Sequence, residues 1–269
     1  MSGGEILSGE EIAELRIDRG RLYDILWSKI DKLGPEASDE QETYLHTLVA
    51  FDIADTYVYE SFCEIYGLRG DDARTLKYAE RGLALDPNAP YLVLSKICAL
   101  YNLERYEECI AIAQATGENT EMAADNALRC GLAYRQLAGQ KGVTRTRRQE
   151  LLYNAVAQFK RAVHDADERM EALLNLAAVL NDMGKPAEAL PYLEEAIALD
   201  PFNRTAYEIL SMCYRKQHQY VSLWRLGMRF AKFASENIEK MHAQEGWMSV
   251  SPCAHLLVNI EREARAGSS

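Results

Sequence analysis

The chain has 269 residues, of which 30 are Lys or Arg and 41 are Asp or Glu, so its formal net charge at pH 7 is −11. Hydrophobic residues make up 48% of the chain and only 7 residues are proline. This composition excludes disordered, collagen-like and low-complexity proteins. The acidic balance disfavours a nucleic-acid binder, because phosphates are repelled by a surface that lacks a segregated basic patch.

The composition also bears on where the protein acts. Acidic residues follow Met1 closely, and no apolar core of a secretory signal is present. The least basic stretch, 48–68, contains four carboxylates, whereas a membrane span needs about 20 mostly apolar residues. The six cysteines form no CxxC pair. We therefore expect a cytoplasmic protein without membrane insertion.

Helices are predicted from the first part of the chain onward. Apolar residues recur at helical spacing over 10–33, and this pattern stops at Gly34-Pro35. Ser38 followed by Gln41 is typical of a capping box, which predicts the start of the next helix. No Gly or Pro follows for nearly 30 residues, so the sequence leaves open whether this stretch is one helix or two.

An internal repeat follows. Two segments end in the same Leu-Asp-Pro sequence, at Pro87 and Pro201. Within 170–203, one helix is predicted up to a break at Gly184, and a second helix stops before Pro201 because proline cannot continue the hydrogen-bonding ladder. The unit is 34 residues long.

This unit resembles a tetratricopeptide repeat (TPR), a pair of helices with a period of 34 residues. The family places large residues and small residues at defined positions of the pair, and proline after it. In this chain the large residues are Leu173, Leu176 and Leu180, the small ones are Ala177, Ala189 and Ala196, and the proline is Pro201. The resemblance implies an all-α fold, a right-handed α-solenoid in which stacked pairs bury each other's apolar faces.

The same frame extends in both directions and predicts five TPR-like units between two helical caps. The third unit exceeds the period by about 12 residues, near 139–150. The fifth is decayed, since His218 replaces the usual turn glycine. Ser251-Pro252 predicts the start of a short final helix. The predicted boundaries are 1–55 for the N-terminal cap, 56–89, 90–123, 124–169, 170–203 and 204–237 for the units, and 238–269 for the C-terminal cap.

The resemblance also implies a concave groove lined by the first helix of each pair. Exposed apolar residues beside polar ones indicate a partner surface. Arginine is suited to carboxylates and asparagine to the backbone of a bound peptide or amphipathic helix. The alternative is that the protein's own terminal helix fills the groove. The predicted groove residues are Tyr57, Tyr91, Leu94, Leu128, Arg129, Leu132, Arg135, Leu174, Asn175, Asn181, Met212 and Arg215.

The extra residues of the third unit predict a basic loop. Such a loop suits phosphate or an acidic partner segment. A solvated loop that caps the next helix is favoured, because Thr146 and Gln149 have the spacing of a capping box. The basic residues are Lys141, Arg145, Arg147 and Arg148.

Catalytic motifs are absent from the sequence. It contains no dinucleotide-binding, P-loop, zinc-protease or nucleophile-elbow motif, and its cysteines lack zinc-site spacing. Cys253 and His255 are two residues apart on a predicted helix, so they point to different faces. We expect no catalytic residue, no metal and no cofactor, and we expect the cysteines to pack as small hydrophobic side chains.

These features predict a non-catalytic adaptor that binds a protein or peptide partner. Two alternatives stay open: a chaperone of secretion or translocator substrates, and a self-assembling component that dimerises through its N-terminal helices. Some TPR proteins grip the C-terminal carboxylates of heat-shock chaperones. Their clamp requires Lys and Asn where this chain has Glu60 and Glu64, so that function is not predicted.

Overall fold

The computed structural model describes residues 18–33, 37–116, 122–165 and 167–236. Within these ranges the chain forms twelve α-helices and no strand, which confirms the all-α prediction. The C-terminal cap predicted for 238–269 lies outside the described residues, as does 1–17 of the N-terminal cap. The helices are α1 (Arg19–Ile30), α2 (Ser38–Ala50), α3 (Thr56–Leu68), α4 (Asp72–Leu83), α5 (Pro90–Asn102), α6 (Tyr106–Ala115), α7 (Ala123–Gly139), α8 (Arg145–Ala162), α9 (Arg169–Asp182), α10 (Pro186–Leu199), α11 (Arg204–Lys216) and α12 (Tyr220–Glu236).

The chain divides into two compact units, and the boundary between them falls within α7, between Ala133 and Tyr134. The first helices of the successive pairs begin at residues 56, 90, 123, 169 and 204. Each start is within one residue of a predicted unit boundary. The assignment of all five pairs to repeats stays a prediction. Among the described residues, none of the helices has the length and apolar composition needed to cross a bilayer.

Unit 1 is a succession of neighbouring helices in which α1 packs on α2, α2 on α3, α3 on α4, α4 on α5 and α5 on α6. The first helices of adjacent pairs, α3 and α5, also contact each other. Aromatic rings fill the centre of its core, where Phe62 and Tyr66 stack on Tyr78 with ring centroids 4.2 and 5.4 Å away. Leu45 and Leu48 of α2 are completely buried against this cluster.

The stretch after Ser38 is two helices rather than one. Asp52 adopts a left-handed φ of 56°, which interrupts the helical backbone. Asp55 then caps α3, because its carboxylate accepts a hydrogen bond from the backbone N–H of Val58 at 3.1 Å. A helix begins at Ser38, as the sequence predicted, but the predicted capping box is wrong. Ala37 is the N-cap residue, and Gln41 donates from Nε2 to the carbonyl oxygen of Leu33 instead, at 3.3 Å.

Unit 2 repeats the same packing scheme. Helix α9 packs on α8, α10 and α11, while α10 packs on α11 and α11 on α12. Helices α9 and α10 interlock through alternating large and small residues, all of which are buried. The large ones are Leu173, Leu176 and Leu180, and the small ones are Ala177, Ala189 and Ala196.

Left-handed residues mark the turns between paired helices. In unit 1, Gly70 and Glu104 have φ values of 68° and 60°. In unit 2, Gly184 and His218 have φ values of 77° and 54°. Each couple is separated by one 34-residue period. His218 therefore adopts the conformation of the turn glycine that it replaces, at a cost that glycine does not incur.

The predicted basic loop is largely helical. The chain absorbs the extra residues of the third pair by lengthening both helices, so that α7 has 17 residues and α8 has 18. Thr144 is the N-cap of α8 and accepts from the backbone N–H of Arg147 at 3.3 Å, so the capping box predicted at Thr146 is wrong. Arg145, Arg147 and Arg148 belong to the first turns of α8, and only Lys141 precedes the helix.

The turn glycine of unit 2 provides a test of this backbone requirement. Gly184→Ala is expected to lower the free energy of unfolding by about 1–2 kcal/mol, because a left-handed backbone costs an L-residue about that much. Nothing lies within 4 Å of a Cβ added at Gly184, so the loss is conformational rather than steric. Urea denaturation of the full chain, followed by circular dichroism, measures it.

Gly139→Ala is the matched control. A Cβ at Gly139 also meets nothing within 4 Å, but this residue ends α7 without a left-handed φ. Its replacement is expected to leave the stability unchanged or to raise it by about 0.5 kcal/mol. Equal losses of stability in the two variants would contradict the explanation.

Candidate functional site

Unit 2 contains an open cavity of about 360 Å³, formed mainly by α9 and α11. It brings together five of the predicted groove residues: Arg135, Leu174, Asn175, Asn181 and Met212. These side chains come from α7, α9 and α11. The rest of the lining consists of Glu171, Ala178, Asp182, Thr205, Glu208 and Ile209.

Hydrogen bonds hold the polar wall of this cavity in place. Arg135 donates from Nη1 to Oδ1 of Asn175 at 3.1 Å, and Asn175 donates from Nδ2 to the carbonyl oxygen of Glu171 at 3.0 Å. Lys216 donates from Nζ to the carbonyl oxygen of Asn181 at 2.7 Å. The Arg135–Asn175 pair is therefore preorganised by bonds within the protein.

Asn181 is the unusual member of the wall. Its side chain is almost completely buried, and its Oδ1 has no hydrogen-bond partner within the described part of the chain. A buried acceptor without a partner costs about 1–3 kcal/mol. The Oδ1 atom is inaccessible to solvent, so a ligand in the cavity does not reach it.

Unit 1 contains a second open cavity, of about 460 Å³. It brings together Tyr57 of α3 and Tyr91 of α5, both predicted as groove residues. Trp27 of α1 also lines it and was not predicted, because its place beside α3 depends on how α1 packs. The other lining residues are Glu60, Ser61, Cys63, Glu64 and Ser95.

Cys63 lines this cavity but is not suited to act as a nucleophile. Its side chain is buried, and burial raises the pKa of its thiol to about 12. Its Sγ donates to the carbonyl oxygen of Thr75 at 3.6 Å. The reactive form of cysteine is the thiolate, so at neutral pH this thiol is protonated and inert.

Comparison with known proteins gives one family match. A family model described as "Tetratricopeptide repeat" matches residues 171–203. The chain contains a tetratricopeptide repeat. The repeat consists of α9 and α10, and α9 supplies six of the eleven residues that line the cavity in unit 2. The predicted TPR resemblance is therefore confirmed.

Solved structures show the same fold. A crystal structure of MamA is 18% identical and has a TM-score of 0.54, covering 71% of this chain and 95% of that one. A structure of MamA from Desulfovibrio magneticus RS-1, residue 41 to the end, is also 18% identical with a TM-score of 0.54, covering 70% and 98%. These likenesses support an all-α fold of the TPR type. No curated protein matches the sequence.

One predicted TPR groove residue is misplaced. Leu128 is completely buried and belongs to the core, so it offers no surface to a partner. Leu94 and Leu132 are half-buried, Arg129 is half-buried and Arg215 is exposed, and none of these four lines the two cavities. Helical spacing predicts which face of a helix a residue lies on. How much of that face is buried depends on the neighbouring helices that pack against it.

Leu128 and Leu94 form a matched pair for testing this correction. Leu128→Ala is expected to lower the free energy of unfolding by about 2–5 kcal/mol, because it opens a cavity in a closed core. Leu94→Ala is expected to cost clearly less, since its side chain is only half-buried. Urea denaturation of both variants measures the difference. Equal losses would show that the two leucines have the same environment.

Proposed function

We propose that the protein is a non-catalytic adaptor whose unit 2 cavity binds a peptide segment or an amphipathic helix of a partner protein. The observation that carries this proposal is the mixed lining of the cavity. Leu174, Ala178 and Met212 supply apolar surface, which we call the floor, and the polar lining residues beside them are called the rim. The TPR fold supports a protein partner in general. The apolar floor supports the unit 2 cavity as the place on this fold where the partner binds.

The floor has the properties of a binding surface rather than of a core. The Met212 side chain is 39% exposed, although it lies beside the buried Ile209 on α11. Methionine is flexible and polarisable, so it adapts to the apolar side of a bound peptide. The helices that carry the floor are already folded, which keeps the entropic cost of binding low on this side.

The rim suggests which polar groups the partner presents. Glu171, Asp182 and Glu208 bring three carboxylates to the cavity, and Glu208 is paired with Arg204 at 2.6 Å. Arg135 already donates to Asn175. Because three carboxylates outnumber the one guanidinium in the lining, the rim favours a ligand that donates hydrogen bonds, through backbone N–H groups or basic side chains, over the carboxylate that the sequence suggested for Arg135. The cytoplasmic location and a homodimer through the N-terminal helices stay predictions.

A charge in the floor tests the proposal. Peptides are first selected on the full chain from a displayed random library, and their affinities are then measured by fluorescence polarisation. Met212→Glu is expected to weaken the selected peptides about ten-fold or more, because binding then buries a carboxylate against apolar groups. Thermal denaturation establishes that the variant is folded.

Met228→Glu is the matched control. Met228 lies on α12 in the same unit, is 53% exposed, and does not line the cavity. The substitution introduces the same charge, so the selected peptides are expected to bind this variant within two-fold of their affinity for the unsubstituted chain. Equal weakening by both substitutions, or no effect of Met212→Glu, would place peptide binding elsewhere on the chain.

A further inference from the structure

The cavity of unit 1 differs from that of unit 2 in having aromatic walls. Its carboxylates, Glu60 and Glu64, lie one turn apart on the same face of α3. Neither has an ion-pair partner among the residues that the structure describes in this unit. Two cations of unit 1 are engaged elsewhere: Lys96 pairs with Glu80 at 3.1 Å, and Arg69 with Glu42 at 2.5 Å.

The surroundings of Glu60 disfavour the negative charge of its carboxylate. Burial, together with the negative charge of Asp55, raises the pKa of the Glu60 carboxyl. Asp55 is itself fixed, because it caps α3 and accepts from the hydroxyl of Tyr23 at 2.7 Å. A cation placed beside Glu60 would offset both unfavourable effects.

Aromatic rings complete the walls. Tyr57 is 63% exposed and Tyr91 is 50% exposed, although both line the cavity and neither is needed to close the core. Trp27 is held by stacking on Tyr23, with ring centroids 5.8 Å apart and planes 5° apart. Ring faces attract cations, most strongly when the ring is tryptophan.

We propose that this cavity is a second binding site, which takes the arginine or lysine side chain of a basic segment of a partner protein. The two carboxylates supply the countercharge, and Trp27, Tyr57 and Tyr91 surround the apolar stem and the cationic head. A chain with a net charge of −11 also attracts such a segment from a distance. The site stands independently of the cavity in unit 2.

A short basic peptide tests the site directly. The probe is fluorescein-labelled tetra-arginine, measured by fluorescence polarisation with the full chain at about 0.15 M salt, which screens charges beyond about 8 Å. Glu60→Gln combined with Glu64→Gln is expected to weaken binding about five-fold or more, because two ion pairs are lost. Tyr57→Ala combined with Tyr91→Ala is expected to weaken it by a similar factor, although the charge is unchanged.

The matched control removes the same charge elsewhere in unit 1. Glu104 and Glu107 are exposed and do not line the cavity, so Glu104→Gln with Glu107→Gln is expected to change the affinity less than two-fold. Labelled tetra-glutamate is expected not to bind. Equal effects of the two glutamine pairs would show general attraction to an acidic surface and overturn the proposal. Absence of tetra-arginine binding, or an intact affinity after the tyrosine substitutions, would overturn it as well.

Discussion

The close approach of neighbouring helices is the constraint on which the structure depends. A pair of amphipathic helices cannot bury its apolar faces alone, so each pair must pack against the next. Small residues allow this contact. A Cβ on Gly82 would lie 2.8 Å from Cβ of Tyr59 and closer still to the side chain of Leu92, so only glycine fits there without a shift. Ala189 and Ala196 are completely buried in unit 2. First helices held in this way present one face to neighbours and the other to a cavity.

Much of the fold could be predicted from the sequence because this constraint repeats. Proline after a helix and small residues within it recur with the period, so the pair 170–203 and its large and small positions were recognisable. The ends of helices were less predictable. Ser38 and Thr146 have the spacing of capping residues, but the chain uses Ala37 and Thr144, since capping depends on the backbone conformation of the preceding segment.

The candidate site was predictable only in part, for a related reason. The TPR resemblance assigned Leu174, Asn175 and Met212 to one groove. All three line one cavity, and their role in binding stays a prediction. The resemblance does not report what covers the predicted groove face of each first helix. Leu128 has the right spacing but is completely buried, whereas Trp27 lies outside any repeat and still lines a cavity. Contacts between elements distant in sequence decide both cases.

The two cavities share one electrostatic feature that connects sequence and function. The composition shows an excess of acidic residues but not where in the structure they lie. In unit 2 the guanidinium of Arg135 is bonded to Asn175, while carboxylates remain on the rim. In unit 1 Glu60 and Glu64 line the cavity without a described cation. Carboxylates placed beside apolar or aromatic surface repel acidic partners, and this repulsion contributes to specificity as much as attraction does. We therefore propose that the acidic composition favours partners with basic, hydrogen-bond-donating segments.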